Sequence, residues 1–260
     1  MAVFKSEAIV LKQFDLGEAD KIITFYTKER GKVRAVAANV RKPNNRFSGL
    51  VLPFSYTNIT VYQGKSLDRI NQVKIIYSFS VLREDLNKMA HASYLAEFIE
   101  KVGMEENPNP DLFSLLLSSF HKLMKASEDI LDNMLLIFKF RIMSICGFRP
   151  QFKKCSFCGC QVQLNPENIF DIASGGVVCY KCRDKTTKPH SDKKNYLYFS
   201  GESFRIVNII FDSGLTIPKN LKISRSAYKQ LENIIDSFIK YHLDLYLKSE
   251  KFLYMIRDFG

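Results

Sequence analysis

Two cysteine pairs, Cys155-Ser156-Phe157-Cys158 and Cys179-Tyr180-Lys181-Cys182, constrain this chain more than any other feature. Each has C-x2-C spacing, and 20 residues separate them. A C-x2-C turn offers two thiolates to one ion, and two such turns fill the tetrahedral shell of a structural zinc. Four thiolates leave no position for water. One Zn2+ per chain on Cys155, Cys158, Cys179 and Cys182 would hold structure and not catalyse. The segment 151–200 therefore reads as a four-cysteine zinc-binding insertion. Two disulfides, or four unrelated buried thiols, are the competing readings.

The other cysteines favour metal. Six in 260 residues are far too few for a disulfide scaffold. The N-terminus, Met1-Ala2-Val3-Phe4-Lys5-Ser6-Glu7, enters a strand-like pattern and not a secretory signal. No apolar run approaches the roughly 20 residues of a membrane span. The expected setting is the cytosol, where thiols stay reduced. Cys146 ends an apolar helical pattern and reads as a small core residue. Cys160 could replace Cys158, but C-x4-C is the less common spacing, so it reads as a spectator. His190 is a weaker alternative ligand, because four cysteines already close the site.

Charge is segregated along the chain. The formal net charge is +11, with +7 in residues 1–80, −3 in 81–142 and +7 in 143–260. A basic head and tail around an acidic middle suggest a polyanion met by the two ends. Solubility charge clustered by chance is the bland alternative.

Residues 1–80 read as a small β-domain. Phe4–Lys12, Ile22–Thr27, Val33–Ala37, Tyr56–Tyr62 and Ile70–Tyr77 are rich in β-branched and aromatic residues, with turn formers between them. Five short strands in about 75 residues suit an OB-fold barrel, with an SH3-like barrel as nearest competitor. Lys28, Arg30, Lys32 and Arg34 fall on one hairpin, and Arg41, Lys42 and Arg46 on the loop after it. Cations among Phe25, Tyr26 and Phe47 are what a single-stranded nucleic-acid surface needs: charge for phosphates, rings for bases. Phe25 and Phe47 read as core rather than as stacking rings.

The period then becomes helical. Leu82–Val102, Leu112–Met124 and Ile130–Ile145 form a helical body over 81–150. Helices near Glu202–Phe211 and Ser224–Leu247, the latter with Ser224 as N-cap, complete it over 201–260. Lys181–Lys194 reads as an exposed basic loop beside the metal. The body, residues 80–150 with the C-terminal helices, would suit an acidic peptide ending in an aromatic ring through apolar residues such as Phe113, Phe120 and Met124 near Lys122 and Lys125, each of which reads individually as core, so no one pocket is named.

Catalytic patterns are absent. There is no Walker loop, G-x-S-x-G or H-E-x-x-H, the four histidines are scattered, and no carboxylate cluster suggests a two-metal nuclease. The chain reads as a binding protein and not an enzyme. Its class is α+β and multidomain: N-terminal OB-fold β-barrel, helical body and zinc-binding insertion.

Several segments together resemble the RecO family of bacterial recombination mediators. They are Leu16-Gly17-Glu18-Ala19-Asp20-Lys21-Ile22, Arg30–Ala37, Arg41-Lys42-Pro43 with Arg46-Phe47-Ser48-Gly49 and Leu52-Pro53-Phe54, Leu82–Leu86, Phe140-Arg141, and Gly147-Phe148-Arg149-Pro150. The cysteine segment has the look of that family's zinc segment. The resemblance runs in order over nearly the whole chain and is weakest in the last 60 residues. It implies an OB-fold, a helical body and a zinc insertion. It also implies binding of single- and double-stranded DNA, annealing of complementary strands, and recombinational repair in the bacterial cytoplasm at the nucleoid. The implied partners are RecR, the tail of the single-stranded-DNA-binding protein SSB, and RecA as the protein finally loaded. The alternative is a zinc-containing RNA-binding or ribosome-associated factor. A third reading is an assembly protein whose charge is incidental.

Overall fold

The computed structural model describes residues 2–43, 47–65, 67–186, 195–214 and 221–259. The chain divides into two compact units, 1–131 with 247–260, and 132–246.

The first unit begins with five strands: β1 (Val3–Leu16), β2 (Asp20–Thr27), β3 (Gly31–Ala37), β4 (Tyr56–Tyr62) and β5 (Asp68–Tyr77). They close a barrel in the order β1-β2-β3-β5-β4, with β3 parallel to β5 and the other pairs antiparallel. This is the five-stranded OB-like arrangement, so the barrel expectation holds. Inward residues alternate along each strand and fill the centre with Ala8, Val10, Ile23, Phe25, Ala35, Ile59, Val61 and Val73. Phe25 and Phe47 belong to this core, as their context suggested.

A bulge between Val10 and Lys12 interrupts the alternation of β1. Ala8 and Val10 point inward, so strict alternation would turn Lys12 and Phe14 inward too. The bulge supplies one extra residue, and Lys12 pairs with Thr24 and Phe14 with Ile22 on the outer face. Cross-strand partners then form one outer row round the barrel: Val3, Tyr62, Arg69, Val36, Ile22 and Phe14.

Helices α1 (Val81–Glu84), α2 (Leu86–Val102) and α3 (Pro110–Lys125) follow, and α8 (Lys248–Phe259) returns to pack on α2. The single helix expected over Leu82–Val102 is two. Asp85 turns extended (φ −108°, ψ 120°), and its carboxylate accepts from the Lys88 amide, capping α2. Asn109 caps α3 by accepting from Asp111 and Leu112, with Pro110 at its start. Phe113 and Phe120 are core, so neither is open to a docking peptide. Phe120 meets Phe54 and Phe79 edge-on at 5.5 and 5.7 Å. Met124 is partly buried, its sulfur accepting from the Tyr77 hydroxyl at 3.1 Å.

The second unit contains α4 (Leu131–Ile145), β6 (Ile169–Asp171), β7 (Gly176–Val178), α5 (Tyr180–Thr186), β8 (Tyr196–Tyr198), α6 (Gly201–Asp212) and α7 (Arg225–Leu243). Its sheet runs β7-β6-β8. Phe152 stacks on Phe170 at 5.1 Å and meets Phe199 edge-on at 5.8 Å, and Phe140 meets Phe211 at right angles. Ser224 caps α7 through the Ala227 amide, as its position suggested. The helix ends at Leu243 and not Leu247, because Asp244 takes the left-handed conformation (φ 47°). Residues 181–186 of the expected basic loop are helical, within Tyr180–Thr186, and 187–194 lie outside the described residues. No helix among the described residues is long and apolar enough to cross a membrane.

Candidate nucleic-acid interface and metal centre

The β2–β3 turn is built tightly. The Thr27 hydroxyl donates to the Gly31 carbonyl at 2.9 Å and accepts from the Arg30 amide at 3.1 Å. Gly31 sits at φ +67°, and a Cβ there would lie 2.6 Å from the carbonyl oxygens of Met104 and Asn107. Only glycine lets the segment after α2 lie this close, where the Lys32 amide donates to Met104 at 2.9 Å.

The hairpin cations do not form one uninterrupted basic surface. Lys28 pairs with Glu7 at 3.3 Å. The Arg30 guanidinium lies over the Phe4 ring at 4.5 Å. The Lys32 ammonium donates to the Glu100 carbonyl at 3.0 Å, and Arg34 pairs with Glu105 at 3.3 Å. Arg30, Lys32 and Arg34 share a recess of about 290 Å³ with Phe4, Glu105 and Glu106. Half-exposed pairs such as Arg34–Glu105 are weak and screened, so an incoming phosphate competes with the carboxylate at little cost.

Arg41 lies in a second place. Its guanidinium donates to the Gly17 carbonyl at 3.1 Å and pairs with Asp15 at 3.4 Å, fastening the loop after β3 to the β1–β2 turn. It lines another recess of about 290 Å³ with Gln13, Lys21 and Leu52. Lys42 is exposed beside it, and Arg46 lies outside the described residues. The structure thus gathers Arg30, Lys32 and Arg34 at one recess and places Arg41 with Lys21 at another. Sequence reasoning passed over Lys12, whose outward aim depends on the bulge. Lys12 pairs with Glu100 at 3.0 Å.

In the second unit, the four sulfurs of Cys155, Cys158, Cys179 and Cys182 lie within 4.8 Å of one another. Cys155, Cys179 and Cys182 are buried, and Cys158 is exposed. Two short turns create the cluster. In the first, the Gly159 amide donates to the Cys155 carbonyl at 2.9 Å, and Gly159 takes φ +72°. In the second, Cys179 follows β7 and Cys182 sits in α5, with its amide donating to the Cys179 carbonyl at 2.9 Å.

Backbone amides point at the sulfurs, as a thiolate cluster requires. The Cys179 amide donates to Cys155 Sγ at 3.4 Å. The Cys160 amide is the leading reason that the Cys158 thiol is pushed down to about 6, with thiol donors nearby adding to it. Burial pushes Cys182 up to about 12. A divalent ion would favour the thiolate form of every sulfur it binds. Tetrahedral zinc with about 2.3 Å bonds sets sulfurs roughly 3.8 Å apart, and Cys158 and Cys179 lie 3.9 Å apart. The donor set fits a structural metal. Cys160 stands outside the four, exposed, with its sulfur 3.2 Å from Cys158. His190 lies outside the described residues. Cys146 is half-buried, and burial pushes its thiol up to about 11.

Comparison with known proteins covers nearly the whole chain. Residues 1–79 match the family "Recombination protein O N terminal", and residues 83–251 match "Recombination protein O C terminal". A DNA repair protein RecO from Desulforamulus reducens is 32% identical over 253 residues, 97% of this chain and 94% of the relative. One from Symbiobacterium thermophilum is 31% identical, with 99% of each chain covered. One from Bacillus subtilis is 29% identical, covering 96% of this chain and 93% of the relative.

Proposed function

This chain belongs to the RecO family of DNA repair proteins, which are mediators and not enzymes, and on that premise we propose that it binds single- and double-stranded DNA and anneals complementary strands. The observation that carries this reading is the closed OB-like barrel with Lys28, Arg30, Lys32 and Arg34 on one hairpin and Arg41 and Lys42 beyond β3.

The physics asks for little else. Two strands repel through their phosphates, and a cationic surface lowers that repulsion without contacting bases specifically. Bases left accessible then pair. Duplex formation is downhill, so no nucleotide need be hydrolysed. The weak ion pairs of Arg34 and Arg41 suit this role, because a phosphate can replace a half-exposed carboxylate at little cost.

One zinc on Cys155, Cys158, Cys179 and Cys182 would cross-link the two turns of the second unit and couple its folding to metal. The family also leads us to assign RecR and the SSB tail as partners, RecA loading as the outcome, and the bacterial cytoplasm at the nucleoid as the setting. Competition between DNA and RNA strands of equal length tests the nucleic-acid assignment. DNA should win or tie, with affinity falling steeply with salt. A strong RNA preference, or affinity indifferent to salt, overturns it.

A further inference from the structure

We propose that Phe14 is a base-stacking platform for single-stranded DNA on the outside of the barrel. The idea rests on the DNA-binding reading above and deepens it by naming a residue that touches bases rather than phosphates.

Phe14 is a large aromatic side chain left 52% exposed. Its exposure is built in. The bulge after Val10 turns the end of β1 over, so that Phe14 leaves the barrel core and pairs outward with Ile22. Bulges recur at barrel rims and beside functional sites, where they re-aim a side chain. Ile22 is half-buried and Val36, the next partner in the outer row, is buried, so the row continues from the ring as apolar side chains across β2 and β3.

The surroundings select the ligand. On the same outer face, Lys12 lies 4.8 Å from the ring centroid, Arg34 faces Thr24, and Arg69 follows Val36. The acids nearby are engaged: Glu100 pairs with Lys12, Glu105 with Arg34, and Asp20 accepts from the Asn39 amide at 2.7 Å. Asp15, on the opposite face of β1, faces Lys21 and Arg41. An exposed ring at the end of an apolar row, edged by cations, matches a strand that offers base faces and phosphates together. A duplex hides its base faces in the stack. Phe14 should therefore distinguish single strands from duplexes, which the phosphate-binding cations do not.

The full-length protein tests this with a thymidine oligonucleotide and a duplex of equal length. Phe14→Ala should weaken single-strand binding by about 5- to 100-fold. Duplex affinity and the log–log salt slope should stay as in the wild type, because no phosphate contact is lost. Phe14→Leu keeps the apolar bulk and loses the π-face, and should fall close to Phe14→Ala. The chain contains no tryptophan, so Phe14→Trp introduces a sole reporter whose fluorescence should be quenched by saturating oligonucleotide. Unchanged single-strand affinity in Phe14→Ala, equal losses on both DNAs, wild-type binding by Phe14→Leu, or an unquenched Phe14→Trp each overturns the proposal. If the wild type binds DNA and the variants match it, only the role of Phe14 falls. If the wild type binds neither DNA, the DNA-binding reading falls and takes this proposal with it.

Discussion

The Glu97 carboxylate on α2 caps the first turn of α8 through Ser249, 152 residues farther along the chain. It accepts from the Ser249 amide at 2.7 Å, the Ser249 hydroxyl at 2.6 Å and the Lys248 amide at 3.0 Å. An anion at a helix N-terminus satisfies orphan amides and meets the positive end of the helix dipole. Burial alone would raise the Glu97 pKa, but the hydrogen bonds from Ser249 and Lys248 outweigh it and leave the carboxyl below its usual range.

That cap should make stability pH-dependent in a defined direction. A carboxyl with a depressed folded pKa stabilises fully above its unfolded pKa, and the contribution disappears as pH falls through the folded value. Glu97→Gln should cost about 1–2 kcal/mol near neutral pH, discounted for the partial exposure of the group. Denaturant melts of variant and wild type should begin to converge as pH falls past the ordinary Glu value of about 4.3 and should meet only below the depressed folded value. A constant gap across the titration would mean that the charge of Glu97 does not hold α8.

The metal centre leads to a second expectation. Protein purified without chelator should carry one zinc per chain. Cys155→Ser and Cys182→Ser should each lower zinc content and destabilise the second unit, whereas Cys160→Ser should leave both unchanged. Because bound thiols must lose their protons, acidification should release the metal. Elemental analysis with a thiol-reactive metal indicator reads all of these. Loss of zinc in Cys160→Ser would move Cys160 into the ligand set.

Lys139 and Asp236 provide a third. The Lys139 side chain is 2% exposed, and its ammonium meets Asp236 at 2.6 Å between α4 and α7. Removing the acid takes its closest charged partner from a buried cation, so Asp236→Asn should cost about 3 kcal/mol. Lys139→Met replaces the charged member with an apolar chain of similar length and should cost less. Equal losses in thermal melts would show that the pair, and not the charge left behind, sets the energy.

The loop cations provide a fourth. Arg41, Lys42 and Arg46 neutralised together should weaken DNA binding alike across sequences, since phosphate contacts carry no sequence information. The log–log salt slope for single strands should flatten by up to about two units, from roughly 0.7 per lost contact. An unchanged slope would place phosphates on the hairpin cations instead.

These sites were unevenly legible in the sequence. The barrel strands could be read because Ile22–Thr27 and Tyr56–Tyr62 concentrate β-branched and aromatic residues between turn formers. The cysteine spacing pointed to the four thiols that the fold gathers. The break at Asp85 was hidden, because the apolar period of Leu82, Leu86 and Met89 runs through a capping residue without a gap. α8 was missed because its partner, Glu97, is remote in sequence. Strands of three residues, as in β6 to β8, are too short to show a period. Local composition could not say that Phe120 is core and Phe14 is not. The rings of Phe54 and Phe79 pack on the first, and a bulge re-aims the second.

Strand annealing tests the central claim most directly. Complementary single strands, one carrying a fluorophore and the other a quencher, are mixed with the full-length protein, with and without SSB coating and with no nucleotide present. If the barrel and its cations bring strands together, annealing should run well above the uncatalysed rate, persist on SSB-coated strands, and slow as salt rises. Annealing no faster than the protein-free control, in protein that is folded and metal-loaded, would contradict it.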